Sequence, residues 1–529
     1  MIRNLLFVAA AVAVTLNCAA VFTCREVSAA ERGTMISRTE AARHGLVRPW
    51  FAQVQLDRGR GRLTHVVLYD GIIYAQTNMA LVQAIDAESG ETKWIRRFGR
   101  SDHLSYKVAV ERDLIAVING SRLFVANRHN GDLLYETKVK GAPGAGPALS
   151  DKRVYVPMVQ GLVMAYRLES LTDPEKELGF GKKWEEMNDE DRAGAEEYRR
   201  ENLRLSQEYI PPLACQSLGK NSTPLLVTLQ DEAYEQCAWP TDRGFLNIGR
   251  IKLRDEDRLE VLHQVPVDAG VPAQPAYKPA DPEVEDSEGI IFAASKDGFV
   301  HAIAEKSGDS LWRFSTGEAI SQPALIVADR VYVATRIGGL FCIDAKLGQE
   351  LWWAPEVCQF VSASKERVYG VNKSGRIVVL DAKTGARLDA IATDAQSIKL
   401  ANTRTDRIYL AGETGLIQCM HEVELPEPFD HVEWEAEQNK AAEEEANKIE
   451  QEGIDPVVDK PKQDAEESKD PFGGADDADA GDDPFGGAGG DDVGGDDAGG
   501  DDAGGGDADD PFGGDDPFSM LHRLAPIPA

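Results

Sequence analysis

The chain has 529 residues, 89 Asp plus Glu against 57 Lys plus Arg, a formal net charge of −32 and 42% hydrophobic residues. That length calls for a large repeat fold or several domains, and the apolar share supports a packed core. The acidity argues against a nucleic-acid partner, which demands cations in excess, but it is localised: Glu422 to Ala529 holds 34 acidic and 6 basic residues, leaving 55 and 51 for residues 1–421.

Residues 1–30 read as a signal peptide. A short basic start, Met1 to Arg3, leads into an apolar run from Leu5 to Phe22, and Ser28-Ala29-Ala30 offers small residues for a cut before Glu31. The run approaches the roughly 18 residues of a membrane span, so an uncleaved anchor is the alternative. Asn17 before Cys18 and Thr23 before Cys24 fit a lipidation box badly. Export follows from this reading, with the periplasm or cell envelope as the compartment.

Next come a spare apolar strand, Pro49 to Leu56, and then a repeat. Ile72-Ile73-Tyr74-Ala75 leads through a turn to Ala84-Ile85-Asp86, Ser89-Gly90 and Trp94. Ile290 to Ala293 leads past Asp297-Gly298 to Ala302-Ile303, Ser307-Gly308 and Leu311-Trp312. Val331 to Ala334 leads past Gly338-Gly339 to Cys342-Ile343-Asp344, Gly348 and Leu351-Trp352, and Val368 to Val371 leads past Ser374-Gly375 to Leu380-Asp381, Thr384-Gly385 and Leu388. Weaker copies turn at Asn119-Gly120, Gln160-Gly161, Arg243-Gly244 and Thr414-Gly415.

Each unit is an apolar strand, a turn, a strand ending in Asp, a Ser/Thr-Gly turn and a strand opening on Trp. Marking the first turn at Met79, Gly120, Gly161, Gly244, Gly298, Gly339, Gly375 and Gly415 gives gaps of 41, 41, 83, 54, 41, 36 and 40. The 83 is one period plus an insertion, so there are eight units. Period-two alternation at a spacing near forty means propeller blades rather than helix-pair solenoids. The fold expected is all-β, an eight-bladed β-propeller over residues 48–421.

The second-turn Gly supplies the positive φ of a tight hairpin, and the Asp before it bonds turn amides. The small residue two positions earlier (Ala84, Ala302, Cys342, Cys419) belongs where sheets approach closely, and the Trp fills the wedge between blades. The eighth unit lacks its outer strand before the sequence turns charged; Pro49 to Leu56, with Phe51, Val54 and Leu56, is expected to supply it and latch the ring.

Residues 169–212 form an expected helical insertion between the third and fourth blades. Thr172-Asp173-Pro174-Glu175 is a helix-start pattern, and Asp189 to Tyr209 is rich in Glu, Arg and Leu. Tyr198, Leu205 and Tyr209 would pack it on the propeller, as a partner-docking arm or as an ornament. Beyond the signal there are five cysteines, Cys215, Cys237, Cys342, Cys358 and Cys419; the odd count leaves at least one free thiol, whether or not Cys215, Cys237 or Cys358 pair. No CxxC pair appears, which argues against a zinc or redox site.

Residues 422–469 are an acidic linker, helix-capable from Glu433 to Gln451. Residues 470–529 are an Asp/Gly-rich tail with 17 Asp and no Lys or Arg between Asp470 and Phe518, a composition that predicts disorder. Asp-Pro-Phe occurs at Asp470, Asp483, Asp510 and Asp516, either as repeated linear motifs acting through avidity or as part of a solubilising bristle. Any divalent-cation binding by the Asp pairs would be weak.

The run Ala84-x-Asp86-x-x-x-Gly90-x-x-x-Trp94 resembles the tryptophan-docking motif of the pyrroloquinoline-quinone-like (PQQ-like) β-propeller family, and the resemblance covers about residues 48–421. It implies the eight-bladed, quinoprotein-dehydrogenase-like architecture and two classes of function. The dehydrogenases of the family place a disulfide of adjacent cysteines over the quinone and hold calcium or a lanthanide beside a catalytic Asp. This chain has no adjacent cysteines, and none of its Asp or Glu residues matches that site. Catalytic, cofactor and metal residues are therefore assigned to no position, and no cofactor is expected.

The function expected is that of the other class: a non-catalytic exported scaffold, similar to the outer-membrane assembly factor BamB. It would be a monomer binding envelope or outer-membrane proteins, without nucleic acid, reaching the membrane through partners or an uncleaved signal. The alternatives are a PQQ- and calcium-dependent alcohol or sugar dehydrogenase, and a propeller binding a small or glycan ligand in its channel.

Overall fold

A computed structural model describes residues 35–440 except 58, 169–186, 196, 198–211, 231–233, 253–257, 282–286 and 439; the segment expected to be a signal peptide and the Asp-Pro-Phe tail lie outside the described residues. The architecture is all-β: eight antiparallel blades, seven of them four-stranded sheets.

Blade 1 is Leu63–Tyr69, Ile72–Thr77, Leu81–Asp86 and Thr92–Arg97. Blade 2 is Ala109–Glu111, Leu114–Asn119, Arg122–Asn127 and Leu133–Lys138, and blade 3 is Ala148–Leu149, Arg153–Pro157, Leu162–Arg167 and Leu213–Gln216. Blade 4 is Leu226–Gln230, Tyr234–Pro240, Phe245–Lys252 and Leu259–Pro266, and blade 5 is Ala276–Lys278, Ile290–Ala294, Phe299–Ala304 and Ser310–Ser315. Blade 6 is Leu325–Val327, Arg330–Ala334, Gly339–Asp344 and Glu350–Pro355, and blade 7 is Val357–Ala363, Arg367–Asn372, Ile377–Asp381 and Arg387–Ile391. Blade 8 begins with Ile398–Lys399, Ile408–Ala411 and Leu416–Glu422.

We call the four positions A to D. The A strands of blades 2 to 6 approach one another in succession, which sets them around the axis. The B and C strands are buried on both faces, hence their continuous apolar runs, and the D strands alternate buried and exposed at the rim. All eight marker turns fall between B and C strands.

The ring closes through the N-terminal segment. Phe51–Gln53 pairs antiparallel with Leu416–Gln418, and Leu46–Val47 pairs with His421–Glu422, occupying position D of blade 8. The inward side chains are Trp50, Ala52 and Val54; Phe51 is 53% exposed, because period-two alternation sends it out once its neighbours point in. A helix the sequence did not announce, α1 (Arg38–Arg43), precedes this strand, capped by the Ser37 hydroxyl, which accepts from the Glu40 amide at 3.1 Å. Ile36, Ala41 and Leu46 fill the seam between blades 7 and 8.

Trp94 covers Gly131 of the next blade and donates from Nε1 to Arg128 O at 2.7 Å. Trp312 covers Gly348 and donates to Ala345 O, and Trp352 covers Gly385 and donates to Ala382 O. Trp50 of the closing strand does the same for blade 1, covering Gly90 and donating to Ala87 O at 3.0 Å. In blade 4, His263 stands in for Trp over Gly308.

One correction concerns the insertion. It joins strands C and D of blade 3 rather than separating blades 3 and 4, since Leu213–Gln216 returns to pair with Leu162–Ala165. Within it residues 189–195 are helical, with Asn188 Oδ1 accepting from the Asp191 amide at 2.7 Å; the Thr172 helix start and the contacts of Tyr198, Leu205 and Tyr209 lie outside the described residues.

Candidate interaction face

Several polar side chains near the axis bond neighbouring blades. Gln76 Nε2 donates to Tyr106 O at 2.8 Å, and Tyr106 OH donates onward to Pro143 O at 2.7 Å. Gln274 donates to Leu225 O, Gln322 to Cys358 O and Gln359 to Lys399 O, at 2.8, 3.0 and 2.9 Å. Between blades 3 and 4 a fully buried ion pair, Arg153 with Glu235 at 2.7 Å, also receives the Tyr155 hydroxyl on Glu235 Oε2. Satisfying buried donors this way makes each polar group a seam element.

The cysteines are free: Cys215, Cys237, Cys342 and Cys419 are buried and Cys358 half-buried. Burial pushes the Cys342 thiol up to about 11 and raises the Cys237 and Cys419 thiols further, so they stay protonated. Among the described residues no group of three or more His, Cys, Asp or Glu is arranged to hold a metal. Asp86, Asp344 and Asp381 sit in their turns, each accepting from amides two and three residues ahead.

The face of the A–B and C–D connections is crossed by residues 423–438. Arg407, 1% exposed, donates to Leu425 O and Pro426 O at 3.0 and 2.6 Å, while the Asp406 carboxylate accepts from the Phe429 amide at 2.8 Å. Asp430 caps a helix at residues 431–438 by accepting from the Val432 amide at 2.9 Å, and pairs with Arg404 at 2.6 Å. His431 Nε2 donates to Ala363 O in blade 7 at 3.0 Å, and Glu435 reaches Lys278 in blade 5 at 2.7 Å. This strap thus engages blades 8, 7 and 5 in turn, and a cavity of 250 Å³ remains beneath it beside Tyr332 and Trp434.

The face of the B–C and D–A connections is left uncovered by the strap. A cleft of 730 Å³ follows the seam between blades 1 and 2 from Arg100 and Asn119 on this face toward Gly131 on the other, walled by Phe98, Phe124 and Leu133 and flanked by Arg96, Arg97, Arg100, Arg122, Lys138 and Glu136. Arg96 pairs with Asp132, Arg100 with Asp102 and Arg122 with Glu136. Arg97 and Lys138 have no ion pair among the described residues. Leu104, in the D–A connection bordering the cleft, is 70% exposed, and Leu218, in the connection between blades 3 and 4, is 67% exposed.

No sequence-predicted site residue exists to be placed, and the cleft, the strap and the Arg153–Glu235 pair were all missed. A scan for cations clustered at D-strand ends would have flagged Arg96-Arg97 and Lys138. Nothing local marks Arg153 and Glu235, 82 residues apart.

The model of a family described as outer membrane protein assembly factor BamB matches residues 78–191 and 296–424. Among solved structures the chain is similar to BamB from Moraxella catarrhalis, at 11% identity and TM-score 0.48, covering 71% of this chain and 97% of that one. It is also similar to the quinohemoprotein alcohol dehydrogenase from Comamonas testosteroni, at 13% identity and TM-score 0.46, covering 74% and 78%. No curated protein matches by sequence. At these identities and scores the structural neighbours bear on neither activity nor partner.

Proposed function

We propose, for a chain that is a PQQ-like repeat β-propeller, that it works as an exported, non-catalytic scaffold binding other proteins of the cell envelope. One observation carries this reading: where the polar side chains are spent. Several near the axis bond neighbouring blades, whereas Arg97, Lys138 and exposed leucines lie toward the outside. A surface of that kind, apolar at its centre with a charged rim, suits protein recognition.

The test is crosslinking and affinity capture of the full chain from solubilised envelopes, run beside a dye-reduction assay with added PQQ, calcium and a panel of alcohols. Discrete captured proteins without dye reduction are the expected result. Dye reduction that saturates with PQQ would replace the scaffold by a quinoprotein dehydrogenase, and localisation to the cytosol on fractionation would remove the envelope assignment.

A further inference from the structure

We propose that the seam between blades 1 and 2 docks an acidic segment of a partner protein, with a large apolar side chain entering the cleft between Phe98 and Leu133. This deepens the scaffold reading and rests on it.

The first argument is how charge is distributed between faces. Antiparallel blades put A–B and C–D connections on one face and B–C and D–A connections on the other. Among the described residues, the A–B and C–D connections hold 17 acidic and 11 basic residues, a net of −6. The B–C and D–A connections hold 9 acidic and 11 basic described residues, a net of +2. A molecule that is acidic overall therefore presents one cationic face, and an acidic partner is steered to it.

The second argument is that the cations of this face gather in one sector. The D–A connections 54–62, 98–108, 139–147 and 217–225, which lead into blades 1 to 4, carry six described basic residues against Asp57 and Asp102. The remaining connections of the face carry five basic and seven acidic residues. The cationic sector is also where Leu104 and Leu218 protrude and where the cleft opens.

The third argument is the cleft itself. Arg96, Arg100 and Arg122 pair with their carboxylate partners, while Arg97 and Lys138, at the D-strand ends of adjacent blades, have none among the described residues. Two such cations flanking an apolar-walled hollow match a peptide that alternates acidic and apolar groups. A flat lipid surface would meet the protruding leucines but would not fill the hollow.

The probe is a fluorescein-labelled twelve-residue peptide of Asp and Glu around a central Phe, titrated into the full-length protein. The double variant Arg97→Glu/Lys138→Glu is expected to weaken binding about tenfold or more, and a probe with Ala for Phe to bind several-fold less tightly. The control double variant Lys346→Glu/Lys383→Glu, on the opposite face, should stay within twofold. Equal losses in both variants, or no binding of the probe, would overturn the assignment. So would phosphatidylglycerol vesicles binding in a cleft-dependent manner while the peptide does not. Capture of envelope proteins that survives the cleft reversal leaves the scaffold standing and sinks this site; peptide binding that persists where capture fails does the converse.

Discussion

Gly385 lies at φ +70° with Trp352 packed where a β-carbon would project, 2.5 Å from its Cε3. Gly385→Ala should therefore cost about 1–3 kcal/mol from overpacking alone, and Trp352→Ala about 3–5 kcal/mol, both read from chemical denaturation midpoints. The Trp–Gly pairing also explains its own gaps. Blade 3 has its insertion where the Gly turn would be, blade 8 has no C–D turn, and the D strands facing them, in blades 2 and 7, carry no Trp. The turn glycines and tryptophans were legible because each occupies a fixed offset in a repeat. The Arg153–Glu235 pair was not, since a polar residue inside a strand looks the same whether it faces water or a neighbouring blade. Glu235→Ala would strand a buried guanidinium and should cost about 3–5 kcal/mol, with Glu235→Gln less severe, in the same measurement.

At the scale of elements, the closing strand was legible from a missing edge, whereas α1 was not, because six residues carry too little periodicity to announce a helix. Deleting residues 48–58 removes Trp50, Ala52 and Val54 from the blade 8 to blade 1 seam and should abolish cooperative unfolding; an unchanged melting transition would defeat this closure scheme. The strap makes a pH-dependent prediction. His431 is buried beside Asp430 and the edge of the Phe429 ring, with Lys365 over that ring, and burial lowers its pKa below 6.5, partly offset by its bond to Ala363 O. The neutral ring is the form that fits, so the undocked segment binds a proton more readily. Docking stability is thus complete above pH 6.5 or so and declines as pH falls below it. Hydrogen exchange across residues 423–438, corrected for intrinsic rates, should show protection at pH 7.5 that diminishes toward pH 5, and His431→Gln should flatten that dependence.

For the whole molecule, the fold was legible because eight copies of a weak signal add, while the candidate site was not, because it is assembled from strand ends of different blades whose proximity no local pattern states. The strap also redraws the boundary between propeller and tail. Truncation after residue 422 removes the partners of Asp406, Arg407 and Lys278 and should lower the melting temperature. Truncation after residue 440 removes only the strongly acidic stretch, whose composition cannot bury an apolar core, and should leave the melting temperature unchanged.

The pairing of Gln53 with Leu416 has a consequence for how the protein is made, since the two residues are separated by 363 positions of chain. At a synthesis rate of about 5–20 residues per second, the N-terminal strand waits on the order of 20–70 s for its partner to emerge. Throughout that interval blade 8 does not exist and blade 1 lacks the Trp50 ring over Gly90. Completing the ring therefore requires both ends of the chain, and a chain truncated before residue 416 cannot form the pairing that closes blade 8, leaving that edge exposed.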